Sequence, residues 1–397
     1  MNFRVPLTAA LAALALACGA PRPSGGDGGP PPPDDAGTPA DGGSLDAGQL
    51  PDAGDAGGVD AGRFDGGAPC DRTDPCTLGW SEPEHYPVVI DHHTSFVHQG
   101  DGGAYFYVVG GVRSVAGDVK EVYPAIRRAK IKAEGLEPWA DVGVLPTAIG
   151  FAAQVVSGDR IYLLAGLSMD AAGPFASGKV MIGAISPVDG TIAWTFGPPL
   201  TEVTLHGTAV VLGDRLYLIG GSAQAPKDKV WVSTIAADGS LGPWAAGPAL
   251  PQPRSHHTAV VHGGHLFLIG GFTSSQVPLG AILKSQHDPT GALTGWVVAG
   301  DIPNAPWTAG AAVWGESLFV VGGGEGGSGQ ELFVDRVRQA RFLGDNTVSG
   351  FADVTPLPVA RSHVHQAPIF EGRVYSVGGR LWPSGSSMDR VFVGSFR

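Results

Sequence analysis

Short apolar runs, each closed by a pair of small residues, recur along most of the chain. One of them, "LFLIGG", ends at Gly271, and five others match it in length and character. The six runs end at Gly111, Gly166, Gly221, Gly271, Gly323 and Gly379. Because successive ends are 55, 55, 50, 52 and 56 residues apart, the pattern predicts six copies of one structural unit.

Within one unit, polar turn residues separate four short apolar or alternating segments. In the fourth unit these are "HHTAVVHG", "LFLIGG", "AILKSQHD" and "WVVAGDIP", bounded by Gly, Pro and Asp. Such a pattern predicts a four-stranded antiparallel meander. Residues 119–135 have a helical composition, but their phase matches "KVWVSTIAADG" of the third unit. We therefore expect a third strand there, with a longer basic approach.

An aromatic residue opens the fourth strand of the first five units. The position holds Trp139, Trp194, Trp244, Trp296 and Phe351. The sixth unit ends too early for a fourth strand, whereas "TLGW" at 77–80 places Trp80 in the same phase. We expect the N-terminal strand to complete the last sheet and leave no exposed edge. The regular phase of these aromatics indicates packing between units and not a sugar-binding platform.

The glycine pairs, the Tyr or Phe in the second strand and the delayed tryptophan together resemble the kelch repeat over residues 77–397. The resemblance implies an all-β fold, a six-bladed β-propeller closed by an N-terminal strand. We place this domain at residues 70–397. Two residues depart from the pattern: Ala165 replaces the first glycine of a pair, and Phe351 replaces tryptophan.

The N-terminal region has a different character. Residues 1–17 hold one basic residue followed by an apolar run, which is typical of a secretory signal. The following "ALAC" resembles the lipobox of bacterial lipoproteins and implies lipidation of Cys18; ordinary secretion with a free cysteine is the alternative. Residues 18–69 are rich in Gly, Pro, Ala and Asp, which predicts a disordered tether. Because Gly19, not Asp, follows the cysteine, we expect an exported protein anchored at the outer membrane or cell surface.

The formal charge of the chain is −12, and much of it lies near the N-terminus. Residues 19–79 hold eleven Asp and three Arg, which leaves −5 on residues 80–397. This mild charge does not favour nucleic acid or an anionic bilayer as a partner, so the only membrane contact expected is the lipid anchor. Cys70 and Cys76 are expected to form a disulfide in an oxidising compartment. A redox or metal-binding role for the two thiols is the weaker alternative.

Histidines and arginines recur just before the first strand of several units. In a meander, the connection from fourth to first strand and that from second to third lie on one face, so these residues are expected at one mouth of the central channel. They are Arg254, His256, His257, Arg361, His365, His92, His93 and His206. Three interpretations stay open: imidazoles bonded to backbone at blade boundaries, a polar or anionic ligand, or a metal. The last is least favoured, and no metal or cofactor is predicted.

The loops after the glycine pairs differ from one another while the strands repeat. Variable loops on a rigid scaffold favour recognition, although drift in unconstrained loops gives the same pattern. Arg113, Arg380 and Trp382 are the expected contact residues. We predict a monomeric binding or scaffolding module for an envelope or extracellular protein or glycan. A structural envelope protein without a small ligand is one alternative.

A second alternative is a carbohydrate-active enzyme resembling a sialic acid mutarotase. In that interpretation His257 or His365 would carry protons, with Glu202 or Glu325 nearby in sequence phase.

Overall fold

The computed structural model of the protein describes residues 75–397, and these form an all-β, six-bladed propeller. The predicted fold class is confirmed. None of these residues forms a helix long and apolar enough to cross a membrane. The predicted signal peptide, the tether, the lipidation site Cys18 and the cysteine Cys70 lie outside the described residues, and these remain predictions.

Each blade is an antiparallel sheet whose first strand lies at the channel and whose fourth lies at the rim. The first strand of the described residues is β1 (Leu78–Ser81). Blade 1 contains β2 (Thr94–Gly100), β3 (Gly103–Val109), β4 (Val112–Val115), β5 (Asp118–Val122), β6 (Ala125–Lys132), β7 (Gly135–Leu136) and β8 (Ala140–Val144). Blade 2 contains β9 (Ala153–Ser157), β10 (Arg160–Leu164), β11 (Leu167–Asp170), β12 (Gly173–Ala176), β13 (Val180–Ile185) and β14 (Ile192–Phe196). Blade 3 contains β15 (Thr208–Leu212), β16 (Arg215–Ile219), β17 (Val230–Thr234) and β18 (Ala245–Ala246).

The second half of the chain continues the same arrangement. Blade 4 contains β19 (Thr258–His262), β20 (His265–Ile269), β21 (Ala281–Gln286) and β22 (Val297–Asp301). Blade 5 contains β23 (Gly310–Trp314), β24 (Ser317–Val321), β25 (Gly324–Glu325), β26 (Leu332–Phe333), β27 (Val337–Arg341) and β28 (Ala352–Val354). Blade 6 contains β29 (Ile369–Phe370), β30 (Arg373–Val377) and β31 (Val391–Phe396). The hairpins β4–β5, β11–β12 and β25–β26 are insertions in the loops after the second strands.

The ring closes as the sequence predicts. Strand β1 pairs antiparallel with β31, in a register that sets Trp80 opposite Gly394. Strand β1 therefore supplies the fourth strand of blade 6, at the rim of the sheet.

Six of the hydrophobic core clusters lie between blades, one at each interface between neighbouring blades. The aromatics that open the fourth strands belong to these clusters, as predicted. The indole of Trp244 donates a hydrogen bond to the Pro198 carbonyl oxygen at 2.8 Å, and that of Trp296 donates to Pro248 at 3.0 Å. Each tryptophan thus links its blade to the preceding one, and burial of these faces holds adjacent blades together.

Residues 119–135 form no helix. Their third-strand portion is β6, which pairs with β3 from Tyr105 to Val109, as the phase predicted. The basic approach is β5, which pairs with β4 in a hairpin next to the channel mouth. Tertiary pairing therefore outweighs the helical composition of this segment.

Candidate functional site

The connection between two consecutive blades is held by hydrogen bonds from the glycine pair of the first of these blades. The N–H of the second glycine, as in Gly221 and Gly271, donates to a carbonyl oxygen in the next connection, Arg254 at 2.9 Å and Pro306 at 2.8 Å. A Cβ on Gly270 would lie 2.0 Å from the Pro306 oxygen, which explains the first glycine of that pair. These bonds bring the connections between blades and the loops after the second strands onto one face, here called the loop face, as predicted.

Each clamped connection places one residue on the inner wall in a left-handed conformation. These six residues, the inner ring, have φ between 48° and 61°: His92, Phe151, His206, His256, Thr308 and His363. Backbone bonds join them around the axis, with the amides of His92, Phe151, His256 and Thr308 donating to the ring residue of the preceding blade at 2.8–3.1 Å. The repeated task of this position is therefore carried by the backbone, which leaves the side chain available.

The ring side chains converge on the axis and stack. The imidazole of His92 lies 3.6 Å from the Phe151 ring, and that of His206 lies 3.6 Å from His256, measured between centroids. One further imidazole, that of His365, joins them 5.3 Å from His92 and 6.1 Å from His206. Nitrogen atoms of His92, His206 and His365 lie within 4.8 Å of one another. We call these three residues the histidine cluster.

His92 and His206 are buried and His365 is partly buried, and their loss of hydration decides their protonation. Loss of hydration lowers the pKa of His92 and of His206 well below the ordinary value, and the neighbouring cations and imidazoles lower it further. Burial lowers the pKa of His365 to about 4. The cluster therefore holds neutral imidazoles at neutral pH, each with a lone pair to offer.

A buried acid orients one member of the cluster. His92 Nδ1 is hydrogen-bonded to the Asp91 carboxylate, which also accepts from Ser387 Oγ at 2.5 Å and pairs with Arg380 Nε at 3.2 Å. Arg380 is 1% exposed. The sequence-based prediction of Arg380 as a loop-face contact is therefore wrong, because its guanidinium is buried against Asp91 and Ser114.

The two predicted channel-mouth arginines have structural bonds. Arg254 Nη1 donates to the carbonyl oxygens of Gly270 at 3.1 Å and Ala281 at 3.2 Å. Arg361 Nη1 donates to Gly378 at 2.9 Å, and its guanidinium lies 4.3 Å from the Phe392 ring centroid. Burial lowers the pKa of Arg254 to about 10 and that of Arg361 to about 9. Both side chains hold the ends of strands in their own blades.

A cavity of about 100 Å³ adjoins the histidine cluster. Its wall includes His92, His93, His206, His257 and His365, together with Gln154, Thr208 and Gln366. Among the described residues that line it, there is no carboxylate. The two glutamates considered for acid–base chemistry have other partners: Glu202 binds Lys227 and Lys229, and Glu325 pairs with Arg336 and Arg338.

The structure corrects the register of the last blade. The spacing to the glycine pair aligned His365 with His257, but Val364 takes that position, packing against Gly379 as His257 packs against Gly271. His363 belongs to the inner ring, and His365 is an additional residue. Sequence reasoning missed His363 and Asp91, although "ARSH" at 360–363 repeats the "PRSH" at 253–256.

The loop face is uneven. Four adjoining loops, those of blades 4, 5, 6 and 1, each expose one large apolar side chain: Val277 at 54%, Leu332 at 46%, Trp382 at 40% and Val115 at 41%. Within the described residues, the corresponding loops of blades 2 and 3, at 167–178 and 222–229, expose none. We call the four side chains the apolar arc.

Contacts between loops hold the apolar arc in place. Trp382 lies 5.4 Å from Phe333 of the blade 5 loop, measured between ring centroids. The amide of Gly117 donates to the Gly385 oxygen at 3.1 Å and joins the blade 1 loop to that of blade 6. Arg113, the remaining predicted contact residue, pairs with Glu121 at 3.1 Å at the surface.

Comparisons with known proteins agree with the fold. A family profile described as "Kelch motif" matches residues 253–282. The solved structure of YjhT superposes with a TM-score of 0.60 and 12% identity, covering 79% of this chain and 99% of that one. No curated protein gave a significant sequence match. The matched motif, the six repeated blades and the closing strand β1 together identify the chain as a kelch-repeat β-propeller.

Proposed function

We propose that this propeller is a recognition module that binds a partner protein on its loop face. The apolar arc is the observation that supports the proposal. Four large apolar side chains on adjoining loops stay exposed although a hydrophobic cluster is buried at every interface between blades, and such clustering is typical of interaction surfaces. Trp382 is the kind of residue that dominates binding energy at interfaces.

The chemistry of the arc favours a protein over a glycan. Val277, Leu332 and Val115 offer aliphatic surface without hydrogen-bonding groups, whereas sugar recognition needs converging polar groups. A shallow surface depression lined by Pro278 and Asn304 begins next to Val277 in the sequence and adds to the surface that a partner can contact. The proposal includes the predicted export and lipid anchor, which would display this face in the envelope.

Catalysis on a sugar has less support. The channel cavity of about 100 Å³ is smaller than the roughly 300–1,000 Å³ of usual small-molecule sites. Glu202 and Glu325, the acids that such a mechanism would use, are held in ion pairs outside the cavity lining. The geometry of the described residues therefore favours binding on the face over chemistry in the channel.

Site-specific photocrosslinking in the native envelope tests the proposal. A photoreactive residue placed at Leu332 or Trp382 of the full chain is expected to give a discrete crosslinked protein. Val188, which is 72% exposed on a hairpin turn of blade 2, is the matched control position and is expected to give none.

Added purified protein should compete for the crosslinked partner and reduce the crosslink. The triple variant Val277→Ser, Leu332→Ser and Trp382→Ser should not compete. Equal crosslinking from Val188, or full competition by the triple variant, would show that the arc is not the binding surface. Products that run as a protein only before glycosidase treatment would instead identify a glycan as the contact.

A further inference from the structure

The histidine cluster combines buried ring nitrogen atoms with missing hydrogen-bond partners. Among the described residues, none bonds His92 Nε2, either ring nitrogen of His206, or His365 Nε2. Buried polar atoms are nearly always paired with protein, water or an ion. Three neighbouring imidazoles, each with at least one unpaired ring nitrogen, therefore indicate a bound group between them.

The spacing suits a metal ion. Zinc binds imidazole nitrogen at about 2.0–2.1 Å, which places two such nitrogens roughly 3.4 Å apart in a tetrahedral shell. The three nitrogens lie within 4.8 Å of one another. Ring rotations that move each nitrogen by about 1 Å would complete the shell.

Asp91 gives His92 the arrangement that metal-binding histidines commonly have. A ligating imidazole usually donates its other N–H to a carboxylate, which fixes the tautomer and the ring orientation. Here Nδ1 of His92 bonds to Asp91, so Nε2 carries the lone pair, and no described residue bonds it. Arg380 and Ser387 in turn hold the carboxylate in place.

We propose that His92, His206 and His365 bind a divalent transition-metal ion of the zinc class, with one coordination position directed to the channel cavity. Three neutral imidazoles suit zinc, copper or nickel better than they suit calcium or magnesium. The cavity beside the cluster is lined by Gln154, Thr208 and Gln366, whose polar ends can hold a water molecule on the metal. This site is separate from the apolar arc and goes beyond the recognition proposed above.

Metal titration of the tag-free full chain, stripped with a chelator, tests the proposal. Zinc is expected to bind one equivalent and to raise the melting temperature, and cobalt(II) is expected to give the visible absorption of a four-coordinate site. His206→Phe copies the phenylalanine that blade 2 carries in the inner ring, and His365→Gln alters a residue outside that ring. Each should weaken zinc binding by about 100-fold or more.

His256→Phe is the matched control, because His256 occupies the ring but lies outside the cluster. It should change zinc affinity by less than about 10-fold. Absence of the cobalt spectrum in the unaltered chain would overturn the proposal, as would equal zinc affinity in all four proteins. If His206→Phe does not fold, His365→Gln and the cobalt spectrum decide the question.

Discussion

Two sets of buried basic side chains occupy the same repeated segment, and they differ in what they bond. Arg254 and Arg361 donate to carbonyl oxygens of Gly270 and Gly378 at the strand ends of their own blades. No described residue bonds His92 Nε2 or either ring nitrogen of His206. The comparison teaches that one motif can combine a structural residue with a residue whose side chain is left available.

The reason for the difference lies in the backbone. The task of the inner-ring position is to hold a left-handed conformation and a backbone bond to the preceding blade, and Phe151 and Thr308 do this as well as histidine. No such freedom exists for the arginine, because its guanidinium itself makes the bonds. Three experiments can break or sharpen this contrast, and the largest effect is expected at the arginine.

Replacing Arg254 by Met should lower the free energy of unfolding by about 3 kcal/mol, because two buried carbonyl oxygens lose their donor. The measurement is chemical denaturation of the full chain. Arg113→Met is the matched control: Arg113 sits in a surface ion pair, and its loss should cost within about 0.5 kcal/mol. Equal effects from the two changes would contradict the structural role assigned to Arg254.

Acidification should destabilise the fold through the buried histidines. Burial, with Arg254 and His365 nearby, lowers the pKa of His257 to about 3, whereas the unfolded chain has an ordinary value near 6.5. Between these values only the unfolded state binds the proton, so this stability is complete above about pH 6.5 and falls as pH decreases. At pH 5 the loss is about 2 kcal/mol for this one residue.

His257→Gln should therefore show a smaller fall in stability between pH 7 and pH 5 than the unaltered chain. Denaturation midpoints at both pH values measure the difference. An unchanged pH dependence would mean that His257 takes up a proton at pH 5 in the folded protein as readily as in the unfolded chain.

The smallest effect is expected for His206→Phe in the metal-free protein. Because Phe151 occupies the same ring position with φ of 59° and stacks on His92, the change should alter the free energy of unfolding by no more than about 1 kcal/mol. Melting of the chelator-treated chain measures it. A loss as large as that of Arg254→Met would show that the imidazole itself holds the blades together.

Much of the architecture could be predicted from the sequence. The six glycine pairs fix the number of blades because each lies where two backbones meet, and the phase of Trp80 fixes the closing strand. Phase also placed β6 correctly despite the helical composition around it. These features depend on local chemistry that recurs in every repeat, so a single departure such as Ala165 does not change the predicted fold.

The candidate site could be predicted only in part. Gly378 lies sixteen positions after Ser362 in the sixth blade, whereas Gly270 lies fifteen positions after Ser255 in the fourth, so the spacing to the glycine pair gives the wrong position for His365. Asp91 and Arg380 meet across the seam between the first and last blades, nearly three hundred residues apart in sequence. Their burial depends on that closure and on no local pattern, which is why Arg380 was assigned to the surface.

The pairing of β1 with β31 also has a mechanical side. Both ends of the described chain lie together, since the Thr77 oxygen accepts from the Arg397 amide at 2.9 Å. Any tension arriving along the polypeptide from residue 74 therefore acts first on the four residues of β1. The strand that closes the ring is thus also the one that bears this tension. The strength of its pairing with β31 sets the force at which blade 6 would open.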